Sequence, residues 1–386
     1  HRAVIKTTTQ STTKVRPVYN CSLKTGNSPS LNEAAFKGPD LMTSLMKLLL
    51  SFRSKSLAAV ADIRQAFLMI NLKDEEDRNR FCFFMYDPEG KLQCYRFRTI
   101  VFGFTSSPFC LQYILKHHAD LYTKDEISEL LKNNLYVDNF IVTSDESNFL
   151  QNVYHESRRR LAEGGFELRS WSTNDPVLKE RLIEDGTIVS HDKPSEKVLG
   201  YDYFPENDVI TLSKVQFDNR AHTKRGILSE TSKVFDPLGL VQPVTVRGKL
   251  LLKQLWTKKL DWDQTIPGEH CDAWKGISAD LSKLTDINFP RNAVNGSDNN
   301  LVVFCDASKD VYGFAAYAVN KNNSNLIFSK SKLSPIKSRS LPTLELLSVY
   351  LAFKCLPSII SSFGPDTFSN MIIAVDAQIV LSWLLS

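Results

Sequence analysis

Apolar positions repeat along the chain in two rhythms, and each predicts a different kind of element. Leu41, Leu45, Leu48 and Leu49 share one helical face and predict an amphipathic helix over 39–53. The same period predicts helices over 107–121, 152–164, 244–260 and 342–354. Short apolar runs bounded by turn formers predict strands over 15–21, 57–61, 81–86 and 93–100, the last two joined across Asp87-Pro-Glu-Gly90. In 135–142, two apolar triplets flank Asp138-Asn139, which predicts a tight hairpin turning at those two residues. Beyond Asn300 the order is strand 301–305, strand 312–319, strand 326–329, helix 342–354, strand 371–375 and the start of another helix. The polar stretch 6–14 reads as a loose arm, and loop signals gather at 28–32, 190–195 and 290–300. Domain boundaries fall near the last two, and no internal repeat is found.

Composition narrows the field only a little. A chain of 386 residues with 42% apolar content is an ordinary globular sequence of more than one domain. Lys+Arg 47 against Asp+Glu 43 leaves a net charge of +4, so binding to nucleic acid or a membrane has to come from local patches. Seven scattered cysteines, never in a C-x-x-C pair, suggest neither a disulfide framework nor a zinc site, and favour a reducing, intracellular location. The apolar run 41–52 is short and broken by Lys47, so no transmembrane helix and no membrane partner are expected. Opening at His1 and stopping inside a helix at Ser386, the sequence reads as a piece of something longer. His117 and His118 are adjacent on a helix and diverge, which makes them poor joint ligands. There is no Asp-Thr/Ser-Gly protease motif and no integrase-type zinc pattern.

Carboxylates that end apolar runs carry the chemistry, because an ionised group leaving a core needs a partner or a metal. Asp62 ends the run 57–61, and Asp138 sits at the hairpin tip, from where it can face Asp62 across neighbouring strands. Two converging carboxylates suit Mg2+, and a pair of such ions serves phosphoryl transfer. The residues alone leave a second reading open, with Asp138-Asn139 as a turn dipeptide and Asp62 as an N-cap. Asp306 and Asp376 end two further apolar runs, and Glu345 lies in the helix 342–354. Taken singly, Glu345 reads as a surface helix residue and Asp376 as an N-cap.

The motifs Asp62-Ile-Arg-Gln-Ala66-Phe67, Phe102-Gly103-Phe-Thr-Ser-Ser-Pro108 and Tyr136-Val-Asp138-Asn139 resemble the palm motifs of reverse transcriptases. Val15-Arg-Pro-Val-Tyr19, Ser30-Leu-Asn32, Gly164-Gly-Phe-Glu-Leu-Arg-Ser-Trp171, Lys197-Val-Leu-Gly200, Phe235-Asp-Pro-Leu-Gly-Leu240 and Leu260-Asp-Trp-Asp263 look like the Pol polyprotein of BEL/Pao-type LTR retrotransposons, over nearly the whole chain. The resemblance implies an α+β fold: a reverse-transcriptase right hand with fingers and palm over 1–205, thumb and connection over 206–292, then an RNase H-like α/β domain over 298–386, truncated at its C-terminus. By the same resemblance Asp62 and Asp138, with Asn139, hold two Mg2+ ions, for which Mn2+ can substitute. Phe67 is the steric gate against a ribose 2′-OH. Phe102, Gly103 and Tyr136 line the nucleotide subsite, and Lys14 and Arg16 neutralise the triphosphate. Phe304-Cys-Asp306, Thr343-Leu-Glu345 and Val375-Asp376 resemble the first three RNase H motifs, so Asp306, Glu345 and Asp376 become metal-binding catalytic acids. That family's fourth acid, last strand and last helix would lie beyond Ser386, so nuclease activity is not expected and the sheet should expose an edge and a face.

Three positions depart from the pattern. Asn139 replaces the usual second aspartate, Ser170 stands where relatives often carry Lys, with Arg169 beside it, and Asn20 replaces an Asp. Weaker metal binding follows. The implied function is RNA-directed DNA synthesis on an RNA template, a DNA primer and their hybrid, with dNTPs as substrates and other Pol segments as partners. The competing reading is a noncatalytic nucleic-acid-binding remnant. A third, an RNA-dependent RNA polymerase, is disfavoured by Phe67 and the RNase H-like segment. The helix 244–260, with Arg247, Lys249, Lys253, Lys258 and Lys259, reads equally as a backbone-tracking face or a solvated one, and Arg158-Arg159-Arg160 reads as a solvated face.

Overall fold

The computed structural model describes residues 2–5, 15–24, 26–122, 124–187, 195–296, 298–337 and 339–385, with side chains from Val18 onward. The loop expected at 190–195 therefore lies outside the described residues except for Ser195. The chain forms two compact units: residues 1–43, 60–141 and 151–171 make the first, and 44–59, 142–150 and 172–386 the second.

The first unit opens with a hairpin of β1 (Arg2–Ile5) and β2 (Val15–Val18). Strand β3 (Leu57–Ile63) is buried along almost its whole length, as its Ala and Val residues require. A two-stranded ribbon follows, β4 (Cys82–Tyr86) with β5 (Leu92–Arg96). Then come β6 (Leu135–Tyr136), β7 (Asn139–Ser144) and β8 (Leu168–Thr173), which join β3 in the sheet order β6-β7-β3-β8. The hairpin turns one residue earlier than the sequence predicts. Tyr136 pairs with Asn139 and Leu135 with Phe140, so the turn is Val137-Asp138 and Asn139 is the first residue of β7. Leu135 and Phe140 are both fully buried, and that burial fixes the register over the turn preference of Asp-Asn. Val137 takes φ 56°, a left-handed conformation that costs a β-branched residue about 1–3 kcal/mol.

In the second unit, β9 (Glu196–Val198), β10 (Tyr201–Phe204), β11 (Val209–Leu212) and β12 (Phe289–Pro290) form an antiparallel sheet in the order β12-β11-β10-β9. Helices Lys224–Thr231, Gln242–Thr257 and Gly268–Lys283 lie between β11 and β12 in sequence. A second sheet comprises β13 (Asn299–Ala307), β14 (Val311–Val319), β15 (Ser324–Leu333) and β16 (Phe368–Val375) in the order β15-β14-β13-β16. Its first three strands are antiparallel, and β16 runs parallel to β13. Helix Leu341–Phe363 crosses between β15 and β16 and packs on β13 and β14. It outruns the predicted 342–354, continuing through Pro357, because Leu356, Ile359 and Phe363 prolong the buried stripe. By length and composition alone this helix is apolar enough to cross a membrane, a test that a buried core helix also passes. Its buried residues, from Leu344 to Phe363, face the sheet and the rest of the second unit instead. The helix predicted over 39–53 is only Leu45–Phe52, capped by Ser44, whose side chain accepts from the Lys47 N–H.

Two buried guanidinium groups hold irregular chain together in this unit. Arg53 donates to the carbonyls of Pro290, Arg291, Leu326 and Ile327 at 2.8–3.3 Å. Arg291 donates to Phe52, Lys55 and Ser56 carbonyls and forks onto both Asp208 oxygens. The Phe235-to-Leu240 motif is a clip onto β15. Asp236 accepts from the Tyr201 hydroxyl (2.8 Å) and the Leu240 and Val241 N–H groups (2.9 Å each), while Ser329 N–H donates to the Leu238 carbonyl at 2.9 Å. At Gly239, φ 71°, a Cβ would sit 2.0 Å from the Ser329 carbonyl oxygen, so only glycine lets the clip close.

Candidate active sites

In the first unit, neighbouring strands β3 and β7 bring Asp62 and Asp138 together. The Ile63 N–H donates to the Asp138 carbonyl at 2.7 Å, which fixes the end of β3 against the hairpin tip. Burial pushes the Asp138 carboxyl above its ordinary range; the negative charge of Asp62 adds to the shift, and its own backbone N–H, Asn139 and Arg169 oppose it. Asn139 donates its amide nitrogen to Asp138 Oδ1 at 3.0 Å. Arg169, on β8, donates through Nε to Asp62 Oδ2 at 3.3 Å. The sequence places Arg169 beside this site without giving it a partner, and its position in the Gly164-to-Trp171 motif is the only signal. Behind the hairpin, Trp171 packs edge-on against Phe140 and Tyr154.

Phe67 is buried on the short helix Ala66–Met69, and its ring meets Phe102 edge-on, centroids 4.8 Å apart. Phe102 is half exposed, so the pair presents one open ring and one closed one. Gly103 has φ 92°, and a Cβ there would come within 2.8 Å of the Tyr19 carbonyl oxygen. Asn32, legible in the sequence only as part of a motif, holds this turn from both ends. It donates to the Gly103 carbonyl (3.0 Å) and accepts from the Thr105 N–H (2.8 Å). Tyr136 is half buried at the end of β6. Lys14 lies outside the described residues, and Arg16 is described only through its backbone, paired with Val4.

The second unit gathers three carboxylates. Cys305 of β13 is paired with Val375 of β16, so the next residues, Asp306 and Asp376, leave adjacent parallel strands at the same level. Glu345, in the first turns of helix Leu341–Phe363, reaches the same point, and ligand oxygens of all three lie within 4.8 Å of one another. Asp306 and Asp376 are exposed, but Glu345 is only 5% exposed, which excludes the surface-helix reading. Burial, then the charges of Asp306 and Asp376, push the Glu345 carboxyl above its ordinary range against a smaller opposing pull from the Ala307 backbone. The same burial, with Glu345 nearby, raises the Cys305 thiol to about 12. Glu345 Oε2 is buried without a hydrogen-bond partner, and none of the three acids is ion-paired among the described residues. Three hard oxygens and a buried carboxylate oxygen without a donor fit a divalent cation. This is the one group of three such ligands among the described residues.

Two basic stretches are already committed. Arg160 is buried and donates to Asp125, Glu156 and the Ser128 hydroxyl, so of Arg158-Arg159-Arg160 it departs from the solvated-face reading while Arg159 stays exposed. Of the cations assigned to 244–260, Arg247 pairs with Asp280, Lys253 with Asp310 and Lys258 with Glu269. His118 Nε2 meets the Arg160 carbonyl oxygen at 2.6 Å, away from any ligand set.

Residues 223–376 match the family described as the Pao retrotransposon-like RNaseH-like domain. No curated protein sequence matches the chain. Among solved structures, the foamy viral protease-reverse transcriptase dRH in complex with double-stranded DNA superposes with a TM-score of 0.60 at 14% identity, over 98% of this chain and 59% of that one. The foamy viral protease-reverse transcriptase in complex with an RNA/DNA hybrid gives 0.53 at 11% identity, over 89% of this chain and 42% of the other. The chain thus spans less than two thirds of the length of either. At these identities the likeness is one of fold, a mixed α+β arrangement resembling a retroviral reverse transcriptase with RNase H. A Pao-type RNaseH-like domain over residues 223–376, with a fold along nearly the whole chain that resembles a retroviral reverse transcriptase, supports a Pao/BEL-type Pol fragment.

Proposed function

We propose that the chain is an RNA-directed DNA polymerase. Residues 1–205 form fingers and palm, 206–292 thumb and connection, and 298–386 an RNase H-like domain. The observation that carries this reading is the pairing of β3 with β7, which sets Asp62 beside Asp138 with Phe67 five residues downstream. Asp62 and Asp138 would hold Mg2+, which supplies Lewis-acid activation of the primer hydroxyl and charge stabilisation on the phosphate. Phe67, its ring braced by Phe102, would act as the steric gate against a ribose 2′-OH. Gly103, held by Asn32, allows close approach of a nucleotide to the backbone. Asp306, Glu345 and Asp376 form a second divalent-cation site. The solved relatives were captured on double-stranded DNA and on an RNA/DNA hybrid, and the same duplexes, with dNTPs, are the partners proposed here.

Primer extension with Mg2+ or Mn2+ tests the reading. Asp62→Asn should lower extension by at least ~100-fold, and dNTPs should outcompete rNTPs. Unchanged extension by Asp62→Asn overturns the assignment. A noncatalytic nucleic-acid-binding remnant is the second reading, favoured by Asn139 and by the Arg169 guanidinium on Asp62. It predicts duplex binding without extension by the parent chain under either ion.

A further inference from the structure

Two thiols stand side by side on one face of the β4–β5 ribbon. Cys82 is opposite Arg96 and Cys94 opposite Phe84, so the cysteines are diagonal neighbours, and the two-residue period of a strand turns both to the same face. Both are exposed and unbridged. The Cys82 thiol donates to the Asn79 carbonyl oxygen at 3.0 Å, and Cys94 is near enough to add to the desolvation that shifts it above its ordinary range. The reverse face of the ribbon is occupied: Phe83 stacks on Tyr95 and, with Phe97, packs around Tyr19. Nothing in the polymerase reading uses either thiol.

We propose that Cys82 and Cys94 form a reversible intrachain disulfide when the chain meets a peroxide. One thiolate attacks a peroxide oxygen, the O–O bond breaks, and the departing hydroxide takes up a proton to become water. The resulting sulfenic acid is attacked by the second sulfur; the S–S bond forms as the S–O bond breaks, and a second water leaves. Two thiols lose two electrons in total, and the peroxide gains them. Diagonal strand neighbours sit about 7–8 Å apart, beyond the usual Cα separation of a disulfide, so closure draws the strands together against the aromatic packing behind them. A bridge made under such strain is readily reduced, which makes it reversible. Partial desolvation, and then the neighbouring Cys94, hold the Cys82 thiol above its ordinary range while Arg96 opposes them, so closure should speed up as pH rises.

The test is peroxide treatment of the full chain, alkylation and tryptic mass mapping. Trypsin cuts after Arg80, Lys91 and Arg96, so a bridge appears as peptide 81–91 joined to 92–96. The expected result is loss of two of the seven alkylatable thiols, recovery of both with dithiothreitol, and no joined peptide from Cys94→Ser. Full alkylation of both cysteines after peroxide, or a bridge from Cys82 to any other cysteine, overturns the proposal. The measurement does not depend on polymerase activity, so it stands or falls apart from the catalytic reading.

Discussion

At the end of β3, Asp62 already has a guanidinium on it and Asp138 an amide; at the ends of β13 and β16, Asp306 and Asp376 face a third carboxylate, Glu345, whose Oε2 has no donor at all. Two carboxylates and Arg169 leave one net negative charge at the first place, while three ionised carboxylates leave three at the second. The first set has been neutralised in part by the chain itself. The second keeps the cost of one buried carboxylate, Glu345, repelled by two exposed ones, a cost that a proton or a cation relieves. Sites that violate the rules of a packed interior in this way are where function is to be sought, and by that measure the second unit is the better primed for metal.

Removing Glu345 should have the largest effect on that contrast. Glu345→Gln takes away the one buried ligand with an unpartnered oxygen, and divalent affinity in the second unit should fall by at least about 10–100-fold, more than the loss of an outer partner costs. Mn2+ titration of the full chain by calorimetry measures this. Equal Mn2+ affinity in Glu345→Gln and the parent chain would mean that the acids meet without forming a site.

The first site sharpens the comparison in the opposite direction. Arg169→Gln removes the cation that competes for Asp62, so divalent binding there should tighten. Both side chains are about one-third exposed, and a pair of that kind contributes roughly 0.2–1 kcal/mol, so the gain is at most ~5-fold. Measuring it in a Glu345→Gln background silences the second unit. A loss of affinity instead of a gain would show that Arg169 orients Asp62 for metal rather than replacing it.

Much of this arrangement is visible in the sequence, and what is hidden is hidden for physical reasons. The acids that end β3, β13 and β16 are legible because an ionised residue at the close of an apolar run must be met by a donor, a cation or water. The Arg169–Asp62 pair is not legible, since its members are 107 residues apart and no local pattern links them. The turn at Val137-Asp138 misleads a local reading, because Asp-Asn is the better turn dipeptide and only burial of Leu135 opposite Phe140 moves it. Pro357 misleads in the same way: it argues for a helix end, but the stripe from Leu344 to Phe363 continues across it into the core. Arg160 looks solvated among three arginines until Asp125, far away in sequence, is found beneath it.

The smallest effect separates the metal argument from the fold. Without metal, a carboxylate whose folded pKa is raised favours the folded state only while it is protonated. Its penalty is therefore absent below the ordinary value of 4.5, grows as pH rises toward the folded value, and is complete above it. Glu345→Gln lacks that penalty at every pH, and its amide can donate to Asp306 or Asp376. In EDTA at pH 7 the variant should melt above the parent by on the order of 2–4 °C, corresponding to about 1 kcal/mol for an unsatisfied buried group. Near pH 4 the two should coincide, and adding Mn2+ at pH 7 should reverse their order, because the parent binds the ion more tightly in the second unit. If the variant melts below the parent in EDTA at pH 7, Glu345 is a structural member of the helix–sheet interface, and the contrast between the two carboxylate sets loses its electrostatic basis.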